Sequence, residues 1–322
     1  MSEFDLINQF FKDSTLKRDD ILLGIGDDCA ILSPPPGKSL AVSTDTLISG
    51  VHFPKSTRAE DIGYKSLAVN LSDLAAMGAE PAWVSLAISL PDTDEVWLKD
   101  FMRGFNELSQ KYNVALIGGD TTQGPLSITI NITGFISEKL ALKRSNANVG
   151  DAIFVTGTIG DAFIGLKAAL DNNLKTGLSS RQLNYCLQRL NRPQPQIKAG
   201  QLLRAFNSAA IDISDGLYVD LKHICKASGV GACLALENVP LSTELLAFYN
   251  GKPDWQTIIN AGDDYELCFT CPQHQVTEMT QVMKTHQIEA TCIGKMVEKP
   301  GVECWNKTEC LVVKSAGYNH FL

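Results

Sequence analysis

Eight aspartates stand in short runs of glycine, serine or threonine, each beside an apolar stretch: Asp27, Asp28, Asp45, Asp120, Asp212, Asp215, Asp263 and Asp264. A ninth, Asp73, interrupts the apolar run AVNLSDLAAMGAEP at residues 68–81. A carboxylate among leucines and alanines is costly unless it is hydrogen-bonded, paired or bound to a cation. Carboxylates with neighbouring hydroxyls, such as Ser43 and Thr44 beside Asp45, suit hard cations, Mg²⁺ above all. Paired glycines, such as Gly118 and Gly119 before Asp120, let a backbone approach a phosphate closely. The repeated pattern points to a site for divalent cations and a polyphosphate. The common phosphate-binding signatures are missing. In GIGDDC, Cys29 stands where a dinucleotide fingerprint needs its third glycine, and Leu32 stands where a P-loop ending at Gly37-Lys38-Ser39 needs its first.

These residues need elements to position them. Leu67, Leu71, Leu74 and Met77 recur at helical spacing, and Gly78 with Pro81 stops the run, so a helix is expected over residues 61–77. A strand from residue 40 is expected to end in the hydroxyl-rich stretch 43–46, with His52 shortly after it. A strand at 82–90 and an amphipathic helix at 94–112 follow. A strand at 114–117 then leads into a glycine turn at 118–122, and alternation marks a half-buried strand at 127–136. The second half repeats the outline. A strand at 152–155 runs into TGTIGD, and helices are expected at 162–170 and 179–190. A strand at 209–213 ends in DISDGL, where Ser214 or Asp215 would cap a helix over 217–228. GDDYEL at 262–267 leads into a strand, followed by a helix at 275–286 and a strand at 290–293. The polar stretch 137–150, with Lys139, Lys143 and Arg144, marks a boundary between domains at 1–146 and 147–322. The fold class is α/β with mixed sheets, in two domains.

Composition narrows the partners. The 322 residues are 44% hydrophobic and 20% charged, with a formal net charge of −8 and no basic stretch, which argues against nucleic acid. No apolar run approaches the roughly 18 residues of a membrane helix. The amino terminus lacks a basic, signal-like region, so a cytoplasmic location is expected. Nine scattered cysteines are then expected as reduced thiols. The lone Cys268-x-x-Cys271 lies in an apolar run; in a strand its thiols face opposite ways, as core cysteines rather than a metal site.

Taken together the motifs resemble a known family. GIGDDCA (24–30), STDTLISGVHF (43–53), AVNLSDLAAMGAEP (68–81), GGDTT (118–122), VTGTIGDA (155–162), DISDGL (212–217) and GDDYEL (262–267) occur in its order. The chain is similar to the thiamine-monophosphate kinases, in the superfamily of aminoimidazole ribonucleotide synthetase and selenophosphate synthetase. The resemblance implies phosphorylation of thiamine monophosphate to thiamine diphosphate by ATP, with several Mg²⁺ ions. It also implies an amino-terminal domain whose sheet forms a homodimer interface and a carboxy-terminal domain closing over the active-site cleft. It implies metal positions at Asp28, Ser43, Thr44, Asp45, Asp73, Asp120, Asp212 and Asp215, of which Asp28, Asp73, Asp120 and Asp215 are the catalytic set. ATP contacts fall on Tyr112, Gly119, Asp120, Arg144 and Ser214, and thiamine contacts on His52, Asp263 and Tyr318. The family commonly has Glu where Asp263 stands. Two other readings start from the same residues: another ATP-dependent synthetase of the superfamily, and an acidic cation-binding module without turnover.

Overall fold

The computed structural model of the chain describes residues 6–12 and 16–314. Two compact units result: Met1–Leu74 with Ala79–Lys139, and Ala75–Gly78 with Leu140–Leu322. Among the described residues no helix is long and apolar enough to cross a membrane.

In the first unit a small ribbon of β1 (Ile21–Leu23) and β2 (Ile31–Leu32) precedes β3 (Ser39–Ile48), α1 (Ala59–Met77), β4 (Glu80–Leu90), α2 (Glu95–Tyr112), β5 (Ala115–Gln123) and β6 (Ser127–Ile136). The last four strands in this unit form a sheet in the order β3-β6-β4-β5. Only β4 and β5 run parallel, joined through α2. Alternation along the strands buries Leu47, Ile88, Ile128, Ile130 and Ile132 on one face. Helix α1 lies against that inner face, where a Cβ on Gly134 would meet Leu74 Cδ1 at 3.0 Å. Helices α1 and α2 touch backbone to backbone: a Cβ on Gly63 would stand 1.9 Å from the Phe101 carbonyl oxygen, and one on Gly104 1.8 Å from that of Glu60. Asp94 caps α2, its carboxylate accepting from Val96 and Trp97 N–H at 2.9 and 3.0 Å.

One expected strand end and one expected glycine turn are strand interior. Residues 43–46 and 118–122 lie within β3 and β5. Strand β6 pairs with β3 along its whole length, from Ser39 opposite Ile136 to Ile48 opposite Ser127, and β4 carries β5 past its glycines to Gln123. The exposed positions of β3 and β5 include Thr44, Thr46, Asp120 and Thr122, so a half-polar strand reads locally as a loop.

The second unit contains β7 (Ala152–Thr156), α3 (Asp161–Leu170), α4 (Ser180–Asn191), β8 (Ala210–Asp212), α5 (Leu217–Ser228), β9 (Gly231–Ala235), β10 (Leu267–Cys271), α6 (Val276–Thr285), β11 (Ala290–Val297), β12 (Gly301–Asn306) and β13 (Glu309–Leu311). Its seven-stranded sheet runs β13-β12-β9-β11-β7-β10-β8, with only the β9–β12 pair parallel. Ile153, Val155, Ile211 and Cys268 from the sheet pack with Ile164, Cys186, Leu221 and Ile224 from α3, α4 and α5. Cys268 and Cys271 are both buried and free, as core cysteines should be. The mixed α/β class expected from the sequence is the one observed. One expected cap is not made. Gly216 is the N-cap of α5 and offers no side chain; Asp220, inside the first turn, accepts from the N–H groups of Ser214, Asp215 and Gly216 at 3.1 Å each. The backbone turns at Gly216 (φ 124) so that these three donors converge on one carboxylate oxygen.

Candidate active site

In the first unit a cavity of about 780 Å³ is lined by Asp27, Asp28, Ser85, Gly118, Gly119 and Asp120, among others. Asp27, Asp28 and Asp120 are exposed, and Asp27 Oδ1 accepts from the Asp28 N–H at 2.8 Å. The two glycines have different duties. A Cβ on Gly119 would stand 1.8 Å from the Leu86 carbonyl oxygen, so this glycine is required for β4 and β5 to pair. A Cβ on Gly118 would meet nothing within 4 Å, so this one keeps the cavity wall open. Lys12 also lines the cavity. Its ammonium lies 3.2 Å from where a Cβ of Gly26 would be, and Gly26 holds φ 123. Nothing in the local sequence marked Lys12; only the fold brings it to the acidic loop.

The sheet separates the remaining acids of this unit. Successive residues of a strand face opposite ways. Ser43 and Asp45 face inward, where the Ser43 hydroxyl donates to Asp73 Oδ2 on α1. Burial and the charge of Asp73 push the Asp45 carboxyl up to about 7. Thr44 faces outward, and its Oγ1 accepts from Asn131 Nδ2 at 2.7 Å. Asp120, in register with the exposed Ala87, shares that outer face. The structure thus brings Asp28, Gly119 and Asp120 to one cavity, and Ser43, Asp45 and Asp73 to one cluster on the inner face. Among the described residues no three His, Cys, Asp or Glu side chains are gathered tightly enough to enclose a metal ion by themselves. His52 turns back in the loop after β3, its Nδ1 accepting from the Ile48 N–H at 2.9 Å. Tyr112 ends α2 with the Lys111 ammonium 5.1 Å from its ring centre, and burial pushes its hydroxyl up to about 12.

The second unit arranges its acids differently. Asp212 ends β8 opposite Leu267 and is buried. Ser214 and Asp215 stand in the turn before α5, whose Asp220 is pushed up to about 7 by burial and the Asp215 charge, against three N–H donors that favour the carboxylate. Asp263 has φ 69, and its N–H donates to the Ser214 carbonyl at 2.9 Å. Arg144 is exposed, and its carbonyl accepts from Ser228 Oγ at 2.7 Å. Tyr318 lies outside the described residues.

Beside these, a buried polar network joins the TGTIGD and GDDYEL motifs. Asp161 accepts from Ser242 Oγ at 2.5 Å, Thr158 Oγ1 at 2.6 Å and Tyr185 hydroxyl at 3.4 Å. Asp264 Oδ2 accepts from the Gly160 N–H at 2.8 Å. Glu266 accepts from Thr156 Oγ1 at 2.6 Å and from Arg189 Nη2 at 2.8 Å. Burial pushes all three carboxyls upward, with Arg189 opposing. Arg189 belongs to none of the sequence motifs. The signal that could have found it is indirect: three acids in apolar company demand a buried cation.

Comparison with known proteins adds the following. Residues 26–136 match the AIR synthase related protein, N-terminal domain, and residues 148–305 the AIR synthase related protein, C-terminal domain. The thiamine-monophosphate kinase of Escherichia coli (strain K12) is 45% identical, over 99% of this chain and 98% of that protein. The crystal structure of thiamine-monophosphate kinase from Stenotrophomonas maltophilia K279a superposes with a TM-score of 0.86 at 42% identity, covering 96% of this chain and 98% of that one. AaThiL complexed with AMPPCP and TMP superposes with a TM-score of 0.78 at 31% identity, covering 99% of this chain and 97% of that one.

Proposed function

We infer that this chain, which belongs to the thiamine-monophosphate kinase family, transfers the γ-phosphoryl group of ATP to thiamine monophosphate. The observation that carries the inference is full-length likeness to a structure complexed with both an ATP analogue and TMP. The acceptor is a phosphate monoester with a second pKa of about 6, so its oxygen is largely anionic at neutral pH. It needs no protein nucleophile and no strong base. One of its oxygens attacks the γ-phosphorus in line, the bond to the β-phosphate oxygen breaks, and ADP leaves with that electron pair. The obstacle is repulsion between two anions, and what the protein must supply is fixed positive charge and alignment.

The residues present fit Mg²⁺. Asp45 and Asp73 lie side by side with one carboxyl pushed up to about 7, a pair that a divalent cation would restore to full charge. Mg²⁺ is commonly held by one or two carboxylates together with substrate phosphates, so a complete protein cage is not needed. When bound, the ions neutralise the triphosphate and draw charge from the γ-phosphorus. In the first unit Asp45 and Asp73, with Ser43, would hold one part of the metal set, and Asp28 and Asp120 another, with Thr44 beside them; Asp212 and Asp215 are the metal-competent carboxylates of the second unit. Gly118 leaves the wall open for the phosphates, and Lys12 adds a cation to that cavity. Gly119, Asp120, Tyr112, Arg144 and Ser214 contact the nucleotide; His52, Asp263 and Tyr318 contact thiamine monophosphate.

Residues 1–146 then form the amino-terminal ATP-binding, Mg²⁺-binding and dimerisation domain, and residues 147–322 the carboxy-terminal domain. The outer face of β3 exposes Leu40, Val42 and Ile48, apolar residues on an edge strand, which supports pairing with a second copy of the chain. The unpaired state of all nine cysteines accords with a reducing, cytoplasmic setting. The test is a product assay with Mg²⁺ and ATP: thiamine monophosphate should be converted to thiamine diphosphate with one ADP formed per product. ATP consumption with another acceptor and none with thiamine monophosphate would refute the assignment. A radiolabelled phosphoprotein accumulating with ATP alone would refute direct transfer.

A further inference from the structure

Three segments far apart in sequence are laced together in the second unit. Asp263 N–H donates to the Ser214 carbonyl at 2.9 Å, Tyr265 N–H to the Ile213 carbonyl at 2.8 Å, and Ile213 N–H to the Glu266 carbonyl at 2.8 Å. Within this lacing the backbone is forced. Asp263 has φ 69 and Tyr265 φ 51; aspartate tolerates the left-handed region, but a bulky residue such as Tyr265 keeps it only where its surroundings impose it. The two flank Asp264, whose Oδ2 is held by the Gly160 N–H.

The imposing contacts converge on Glu266. Thr156 Oγ1 donates to one of its oxygens at 2.6 Å and accepts from the Leu267 N–H at 2.9 Å. Arg189 Nη2 donates to the other at 2.8 Å and to the Thr158 carbonyl at 3.3 Å. Arg189 Nε lies 4.0 Å from Asp161 Oδ2, and the side chain is only 14% exposed. A Cβ on Gly157 would stand 2.3 Å from Glu266 Oε1, so Glu266 fills the space that a side chain at 157 would need. A planar guanidinium can serve a carboxylate, a carbonyl and a second carboxylate at once; an ammonium cannot.

We propose that Arg189 is a positioning residue: by gripping Glu266 against Thr156, it holds Asp263 and Tyr265 in the left-handed conformation that presents Asp263 to thiamine monophosphate. This rests on the reading of Asp263 as a thiamine contact. The tests are Arg189→Lys, which keeps the charge and loses the fork, Thr156→Val, which loosens Glu266 from the other side, and Asp263→Asn. Each is assayed with both substrates after thermal unfolding has shown one cooperative transition. Arg189→Lys should raise KM for thiamine monophosphate by about 10-fold or more, as a misplaced binding group does. KM for ATP should stay within about twofold and kcat within about threefold, the split of lost substrate binding rather than lost chemistry. Thr156→Val should give the same split in smaller measure, and decides the matter should Arg189→Lys fail to fold. Both KM values rising alike, or kcat falling alone, overturns the proposal. If Asp263→Asn raises KM for thiamine monophosphate while Arg189→Lys leaves it unchanged, the positioning role alone is wrong. If Asp263→Asn leaves that KM unchanged, the thiamine contact is wrong and the positioning role falls with it.

Discussion

The two units use their carboxylates in opposite ways. In the second unit, Asp161, Asp264 and Glu266 are buried, and each accepts from a hydroxyl, a backbone N–H or a guanidinium of the same unit. In the first unit, Asp27, Asp28 and Asp120 stand exposed around a cavity, and Asp45 and Asp73 are placed so that each raises the cost of charge on the other. A carboxylate whose charge is already offset by protein donors or a guanidinium gains less from a metal. One that faces a cavity, or another carboxylate, is improved by one. The difference teaches that acidic motifs alike in sequence, GDD at 26–28 and GDD at 262–264, carry different work once the fold assigns their donors.

The comparison can be broken in several ways, the largest effect coming from the second unit. Glu266→Ala leaves Arg189 buried beside fewer acids and removes the anchor of Thr156. We expect a loss of about 3–5 kcal/mol in unfolding free energy, the cost of breaking a buried pair. A urea titration showing less than about 1 kcal/mol would place Glu266 with the surface acids. Asp73→Asn should act the other way round. Turnover should fall by about 10²–10³-fold, as when one electrostatic contact to the transition state is lost. Its unfolding midpoint should hold or rise, because repulsion with Asp45 is relieved. Near-normal turnover would remove Asp73 from the site.

A smaller effect separates the units by pH. The folded value for Asp45, about 7, lies above the unfolded 3.8, so between these limits the native chain holds a proton that the unfolded chain has released. This contribution is present in full below the unfolded value and is lost as pH rises through about 7. Without Mg²⁺, the urea midpoint should fall between pH 5 and pH 7.5, and saturating Mg²⁺ with nucleotide should flatten the slope. Asp73→Asn should reduce it, while the slope due to Asp220, also raised to about 7, should persist. A slope indifferent to both changes would leave the first-unit pair without a role. The smallest effect is at Gly118. Alanine there meets no atom within 4 Å, so stability should be nearly unchanged and KM for ATP should rise by several-fold as the cavity wall closes.

How much of this was legible beforehand differs by residue. Helix α1 was readable from its leucines because an element buried along its length declares its period, and Gly78 ended it where expected. The buried strand holding Cys268 and Cys271 was readable for the same reason. The interiors of β3 and β5 were not, because their extent depends on β6 and β4, and an exposed sheet face carries the same threonines and aspartates as a loop. Asp45 and Asp73 were both marked by their sequence, but their adjacency needed a strand and a helix to meet. Arg189 and Lys12 were invisible, since each matters through partners far off in the chain. The capping of α5 was misassigned because Ser214 and Asp215 match the usual pattern, whereas Asp220 reaches back from within the helix.

The most direct test is a Mn²⁺ titration followed by electron paramagnetic resonance, with AMPPCP present, on Asp45→Asn, Asp73→Asn and Asp264→Asn. The account predicts Mn²⁺ affinity reduced by about 10-fold or more in the two first-unit variants and changed by less than about twofold in Asp264→Asn. Equal losses in all three, or an undiminished affinity in Asp45→Asn and Asp73→Asn, would contradict it.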